Sequence, residues 1–253
     1  MTFKDHFSRH AADYARYRPS YPDTLFQRLA ELAPARALAW DCATGNGQAA
    51  AGLARHFERV IATDASAEQI ASAPALDGVE FRVAPAEASG LATASADLVT
   101  VGQSLHWFDV DAFYAEAARV LKPDGVLAVW CYALCRVTSA VDAVVARLYD
   151  DIVGPFWPPE RRLLEAGYAD LGFPEPRLYL PAVAMERVWH AADMLGYLAT
   201  WSAVRRFQEA NGDDPLEQIR AALAEAWGPG ARRVTWPLTL LAWRVTDPGA
   251  QSG

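Results

Sequence analysis

The sequence predicts an α/β protein built on a doubly wound, mostly parallel sheet of seven strands, with a helical cap inserted among the late strands. Three observations carry that expectation. Between residues 37 and 132, short apolar runs alternate with helix-forming runs, the order that builds a parallel sheet with helices on both faces. The turn Ala43 to Gly47 joins the first strand to its helix through small residues. Beyond Tyr132 the alternation lapses into helical stretches broken by only two further strand-like runs.

The bulk properties narrow the class. A chain of 253 residues, 52% hydrophobic and 21% charged, can build one large core without a disulfide or metal. The three cysteines, Cys42, Cys131 and Cys135, have no paired ligand spacing and read as reduced core thiols. Five scattered histidines argue for no metal site. A net charge of −8 opposes general binding to nucleic acid or anionic membrane. The first ten residues hold no apolar core of a signal peptide, and no run approaches the ~18 apolar residues of a membrane span. A cytoplasmic location, with no nucleic-acid or membrane partner, is the expectation; the oligomeric state is left open.

Taken in order, residues 2–17 read as a short helix that breaks at Arg18-Pro19 and again at Tyr21-Pro22. The aromatic and arginine-rich stretch Tyr14 to Pro22 reads either as an arm whose rings pack on the domain or as a lid over a ligand mouth. A helix follows with Leu25, Phe26, Leu29 and Leu32 on one face. The apolar run Ala37 to Trp40 is a strand ending at Asp41, and Gln48 to Phe57 is its helix. Strands are expected at 60–63, 79–83, 96–101 and 125–132, with Ser66 capping one helix and Asp109 to Leu121 forming another. Residues 137–153, 159–171 and most of 190–228 look helical. The run 177–188 reads as a strand that Pro181 confines to an edge or bulge, and 231–245 as the final strand. The organisation expected is a single domain over 1–253. It comprises a lid arm and helix (1–33), a cofactor-binding core (34–133), cap segments (134–175 and 189–230) and late strands (176–188 and 231–245).

The turn after the first strand is a cofactor cradle by its chemistry. Gly45 and Gly47 allow positive φ and close backbone approach, and the helix start behind them offers unpaired N–H groups. Gly45-x-Gly47-x-x-Ala50 fits the dinucleotide fingerprint, with Asp64 about 20 residues on. Asp41 weighs against that reading, because a carboxylate before the turn would face an incoming pyrophosphate. A cofactor with a cationic amino-acid tail suits it better.

Asp41-Cys42-Ala43-Thr44-Gly45-Asn46-Gly47 resembles the first motif of class I S-adenosylmethionine-dependent methyltransferases, whose fold is Rossmann-like with the last strand antiparallel. Gln103-Ser104-Leu105-His106-Trp107-Phe108-Asp109 resembles the segment after the fourth strand in the methyltransferase type 11 group, especially its trans-aconitate methyltransferase-like branch. The arm Tyr14 to Pro22, the run Arg119 to Gly125 and Tyr197 to Ser202 extend the resemblance over nearly the whole chain. It implies S-adenosyl-L-methionine as cofactor, held by Asp41, Ala43, Thr44, Gly45 and Gly47 at the turn. Asp64 and Ala65 follow on the ribose side, Ala86 and Glu87 at the adenine edge, and Gln103, Tyr14 and Arg18 over the mouth. Ala43 departs from the pattern, since it occupies a glycine position where positive φ costs an alanine.

Methyl transfer from a sulfonium needs alignment and a dry site, and a base only when the nucleophile carries a proton. His106 is the candidate base; the alternative is that it and Trp107 close the pocket. Trp107, Trp130, Tyr132 and Trp201 are the expected substrate-pocket aromatics, whereas Trp40, Trp236 and Trp243 read as core. A small-molecule acceptor is expected, a carboxylate among the possibilities, with Arg18, Arg205 and Arg206 as candidates to steer it. A dinucleotide-dependent oxidoreductase and a non-catalytic cofactor-binding module are the rival readings.

Overall fold

The structure is a computed structural model that describes residues 17–169, 171 and 177–244. Seven strands form one sheet in the order β3-β2-β1-β4-β5-β7-β6. They are β1 (Leu38–Cys42), β2 (Arg59–Asp64), β3 (Val79–Val83), β4 (Ala96–Gly102), β5 (Leu121–Cys131), β6 (Val183–Trp189) and β7 (Arg232–Arg244). The first five run parallel, and β7 lies antiparallel between β5 and β6. The fold is therefore the expected seven-stranded Rossmann-like sheet with an antiparallel last strand.

Apolar side chains on both faces explain why these strands sit inside. In β5, Val126, Ala128 and Trp130 enter one core cluster while Leu127, Val129 and Cys131 enter the other, the period of two that a pleated strand imposes. The first cluster is covered by helices α1 (Asp23–Leu32), α2 (Gln48–Leu53), α5 (Ser139–Arg147), α7 (Ala191–Ala199) and α9 (Glu217–Trp227). The second is covered by α4 (Val110–Val120) and α6 (Arg161–Glu165). Helix α3 (Ala67–Ser72) buries no residue, and α8 (Ser202–Asn211) completes the cap. Side-chain caps start three of these helices: Ser66 accepts from Gln69 N, Asp109 from Ala112 N and Thr138 from Val141 N.

The departures from expectation lie in the second half. Helix α5 ends at Arg147, and Leu148–Ile152 continues as a single π turn. The expected helix 159–171 is only the short α6, because Gly167 and Tyr168 both take left-handed φ values of 62° and 59° and turn the chain back. Strand β6 starts at Val183, two residues past Pro181, and is an edge strand; Arg177 makes only an isolated bridge to Trp243. All three cysteines are buried and free. No helix among the described residues is long and apolar enough to cross a membrane.

Candidate functional site

Strand order reverses between β1 and β4, and a cavity of about 430 Å³ opens beyond the carboxyl ends of β1, β2 and β4. This is the switch point at which open α/β sheets bind ligands. Its floor is the turn after β1. Ala43 and Gly45 both have positive φ, 53° and 57°, so the departure at Ala43 does place an alanine in the left-handed region. A side chain at Gly45 would meet nothing nearer than Gln69 Oε1 at 4.0 Å, so this glycine serves the backbone conformation. Gly47 differs: it does not line the cavity, and a Cβ there would strike the Phe81 ring at 2.8 Å. It is a turn and packing glycine.

Two carboxylates hold this turn. Asp64, at the end of β2, accepts from Gly45 N and Ser66 N, each at 2.9 Å. Asp41, at the end of β1, accepts from the hydroxyls of Thr44 at 2.6 Å and Thr100 at 2.9 Å and is 1% exposed. Burial raises its pKa to about 6, against those hydrogen bonds and one from the Ala50 backbone at the start of α2. Glu68 and Glu87 add two more acids to the lining, against one cation among the described residues, Arg18. Ala65, Ala86, Thr44 and Gln103 also line it. The Glu87 carboxylate accepts from Asp109 N at 3.1 Å and so ties the turn after β3 to the start of α4.

The arm at residues 17–22 packs on the domain and lies at the cavity mouth. Tyr17 lies on Gly196 of α7, so close that a Cβ on that glycine would meet its ring at 2.5 Å. Tyr21 stands edge-on to Trp130 at 5.4 Å and donates its backbone N–H to Gln48 at 3.2 Å. Arg18, Pro19 and Tyr21 consequently line the cavity mouth. Tyr14 lies outside the described residues.

A second, smaller cavity of about 100 Å³ shares Arg18, Gln103, Trp107 and Tyr132 with the first. His106, Arg161, Trp157, Tyr197 and Trp201 form its far side, and among the described residues no carboxylate lines it. Arg18 donates to the Tyr132 hydroxyl at 3.3 Å and lies over the Tyr197 ring. The Arg161 guanidinium sits 4.0 Å from the centre of the Trp157 ring and is bonded to the Tyr149 hydroxyl, which in turn donates to Glu165. Trp201 packs against Tyr149, Trp157 and Tyr197.

Several expected residues stand elsewhere. Trp130 lines neither cavity; it points into the first core cluster and is fully buried, edge-on to Tyr21. Arg205 and Arg206 line neither cavity, and Arg206 donates to the Phe156 carbonyl instead. His106 lines the small cavity, but burial, reinforced by the Arg161 charge, lowers its pKa to about 4. Such an imidazole is neutral at pH 7 and a weak base. Arg161 and Tyr168 were missed because nothing in the order of residues 159–171 distinguishes them from helix surface. Trp40, Trp236 and Trp243 are core residues.

Comparison with known proteins agrees with this geometry. A family model described as a methyltransferase domain matches residues 40–129. A protein named as a methyltransferase in Dictyostelium discoideum is 34% identical over 229 residues, covering 89% of this chain and 87% of that protein. The chain belongs to the class I S-adenosylmethionine-dependent methyltransferases. A solved structure described as a type II methyltransferase from Anaeromyxobacter dehalogenans superposes with a TM-score of 0.87 at 47% identity, covering 91% of this chain and 99% of that one. A methyltransferase of Pestalotiopsis fici is 30% identical over 159 residues, 55% of this chain and 47% of that protein. This methyltransferase uses S-adenosyl-L-methionine, and its acid-rich larger cavity suits that cofactor, whose sulfonium and ammonium are both cationic.

Proposed function

We propose that the chain transfers a methyl group to a small organic acid, with the acid's carboxylate as the accepting group. The observation that carries this reading is the charge of the small cavity: Arg18 and Arg161 line it, with aromatic walls and no acid among the described residues. Arginine forks pair carboxylates, and a carboxylate needs no base to remove a proton before it attacks. The resemblance of residues 103–109 to the trans-aconitate methyltransferase-like branch favours the same acceptor class.

When bound, the cofactor supplies an electrophilic methyl group on sulfur. Asp41 would place negative charge beside its cationic tail, Asp64 at the end of β2 and Glu68 in the helix after it would face the ribose, and Ala86 and Glu87 would border the base. Gln103 and Tyr132 stand in the shared wall, where acceptor and cofactor must meet. Arg18 on the arm and Arg161 on the cap hold the acid and exclude water, which strengthens each charge pair. In this reading residues 34–133 form the cofactor half, and the arm with the cap segments forms the acceptor half.

A radiolabelled methyl screen over small acids, phenols, thiols and amines, with mass identification of the products, tests the assignment. Label recovered as base-labile methyl esters is the expected result. Label confined to amines or thiols refutes it.

A further inference from the structure

His106 stands at the small cavity with its ring pinned from behind. Its Nδ1 lies 3.0 Å from the hydroxyl of Tyr168, which is 1% exposed. Tyr168 comes from the turn after α6, and it reaches His106 only because Gly167 and Tyr168 take successive left-handed conformations. A non-glycine residue pays for that conformation in backbone strain, so the contact is held by the surrounding packing. Thr239 of β7 contributes to that packing, since a Cβ on Gly167 would meet its Cγ2 at 3.1 Å.

The hydrogen bond has one satisfactory direction. Burial raises the Tyr168 pKa far above neutrality, so the phenol keeps its proton. Among the described residues the His106 ring is the sole acceptor within hydrogen-bond reach of that proton. If Nδ1 carried a proton, two donors would face each other or the buried hydroxyl would have no acceptor, which native interiors avoid. Tyr168 therefore donates to Nδ1, and the neutral ring carries its hydrogen on Nε2. Nε2 has no partner among the described residues and is not one of the enclosed, solvent-free polar atoms.

We propose that His106 is not a base but a neutral Nε2–H donor, oriented by Tyr168, that binds an oxygen of the acceptor in the small cavity. The oxygen as a carboxylate oxygen rests on the reading given under Proposed function; the tautomer does not. The groups that face this ring are Arg161 from α6, Tyr168 from the following turn and its neighbour Trp107, with Cys131 of β5 beside the Tyr168 hydroxyl. Among them only Arg161 is charged at neutral pH, and it opposes an imidazolium.

The test is nitrogen NMR on the full chain labelled at its five histidines, with His106→Gln identifying the His106 signals. The expected spectrum shows a protonated Nε2 and an unprotonated Nδ1, unchanged from pH 6 to 8. Tyr168→Phe should convert this to a mixture of tautomers. With S-adenosylhomocysteine bound, succinate should shift the Nε2 resonance while the same concentration of chloride does not. A shift with p-cresol but none with succinate supports the donor and refutes the carboxylate reading alone. An Nδ1–H tautomer or titration between pH 6 and 8 overturns the donor, and a Phe variant with the wild-type tautomer overturns the orienting role of Tyr168.

Discussion

The two adjoining cavities have opposite chemistry. Among the described residues the larger is lined by four carboxylates and one arginine: Asp41 and Asp64 end β1 and β2, Glu68 stands in the first turn of α3, and Glu87 lies in the turn after β3. The smaller holds two arginines and a ring of aromatic side chains delivered by the arm, the turn after β4 and the cap. Charge separation over one shared wall suits a cationic donor and an anionic acceptor, each drawn to its own side. The division follows the fold: the larger cavity is built on strand ends and the turns and helix starts behind them, the smaller on the arm, the turn after β4 and the cap.

The largest expected effect separates the halves most sharply. Replacing Asp41 with Asn should weaken S-adenosylmethionine binding by on the order of 100-fold, the loss of one buried charge-assisted contact. Calorimetry at pH 7 checks this. The same change should stabilise the free protein. The folded pKa of Asp41 is raised from 3.8 to about 6, so the folded state binds the proton more tightly and stability falls as pH rises across that interval. Above it, the ionised group costs the folded chain about 3 kcal/mol. Thermal unfolding should therefore show a higher Tm for the Asn variant at pH 7, with the gain vanishing near pH 4. A lower Tm at both pH values would mean that Asp41 is needed for the fold and not chiefly for its ligand.

A smaller effect is expected in the other cavity. Arg161→Met keeps the aliphatic contact with Trp157 but removes the charge, and should raise KM for an acidic acceptor by about tenfold to 30-fold. Cofactor affinity should be unchanged. Steady-state kinetics beside a cofactor titration measures both, and a loss of cofactor affinity would break the division between the cavities. The smallest effect belongs to Ala43→Gly, which relieves an alanine held at a φ of 53°. A gain of about 1 kcal/mol in stability is expected from denaturant unfolding, with a modest rise in cofactor affinity.

The larger cavity was legible because its residues are local. Asp41, Ala43, Thr44 and Gly45 are neighbours in one turn, and Asp64 ends the next strand at a predictable spacing, so linear order already groups them. The signature residues Arg119 and Lys122 were equally visible but turn out to be braces. Arg119 pairs with the buried Glu116, and Lys122 with Asp97, which also accepts from Ala37 N and Leu38 N and pins the start of β1. The smaller cavity was not legible. Arg18 and Arg161 are 143 positions apart and line one cavity only because the arm is clasped to α7 while α6 folds over β5.

The sequence by itself determined the alternating sheet, which follows from short-range periodicity, and, through motifs each contained in one short segment, the resemblance that implied the antiparallel closing strand and the class of cofactor. Only the tertiary structure decided that Trp130 is core, that Gly47 packs on Phe81, that Arg161 rather than Arg205 or Arg206 reaches the smaller cavity, and that Tyr168 meets His106. Those outcomes depend on how separate helices and turns pack over the strand ends, and packing is a property of distance in space that spacing along the chain does not encode.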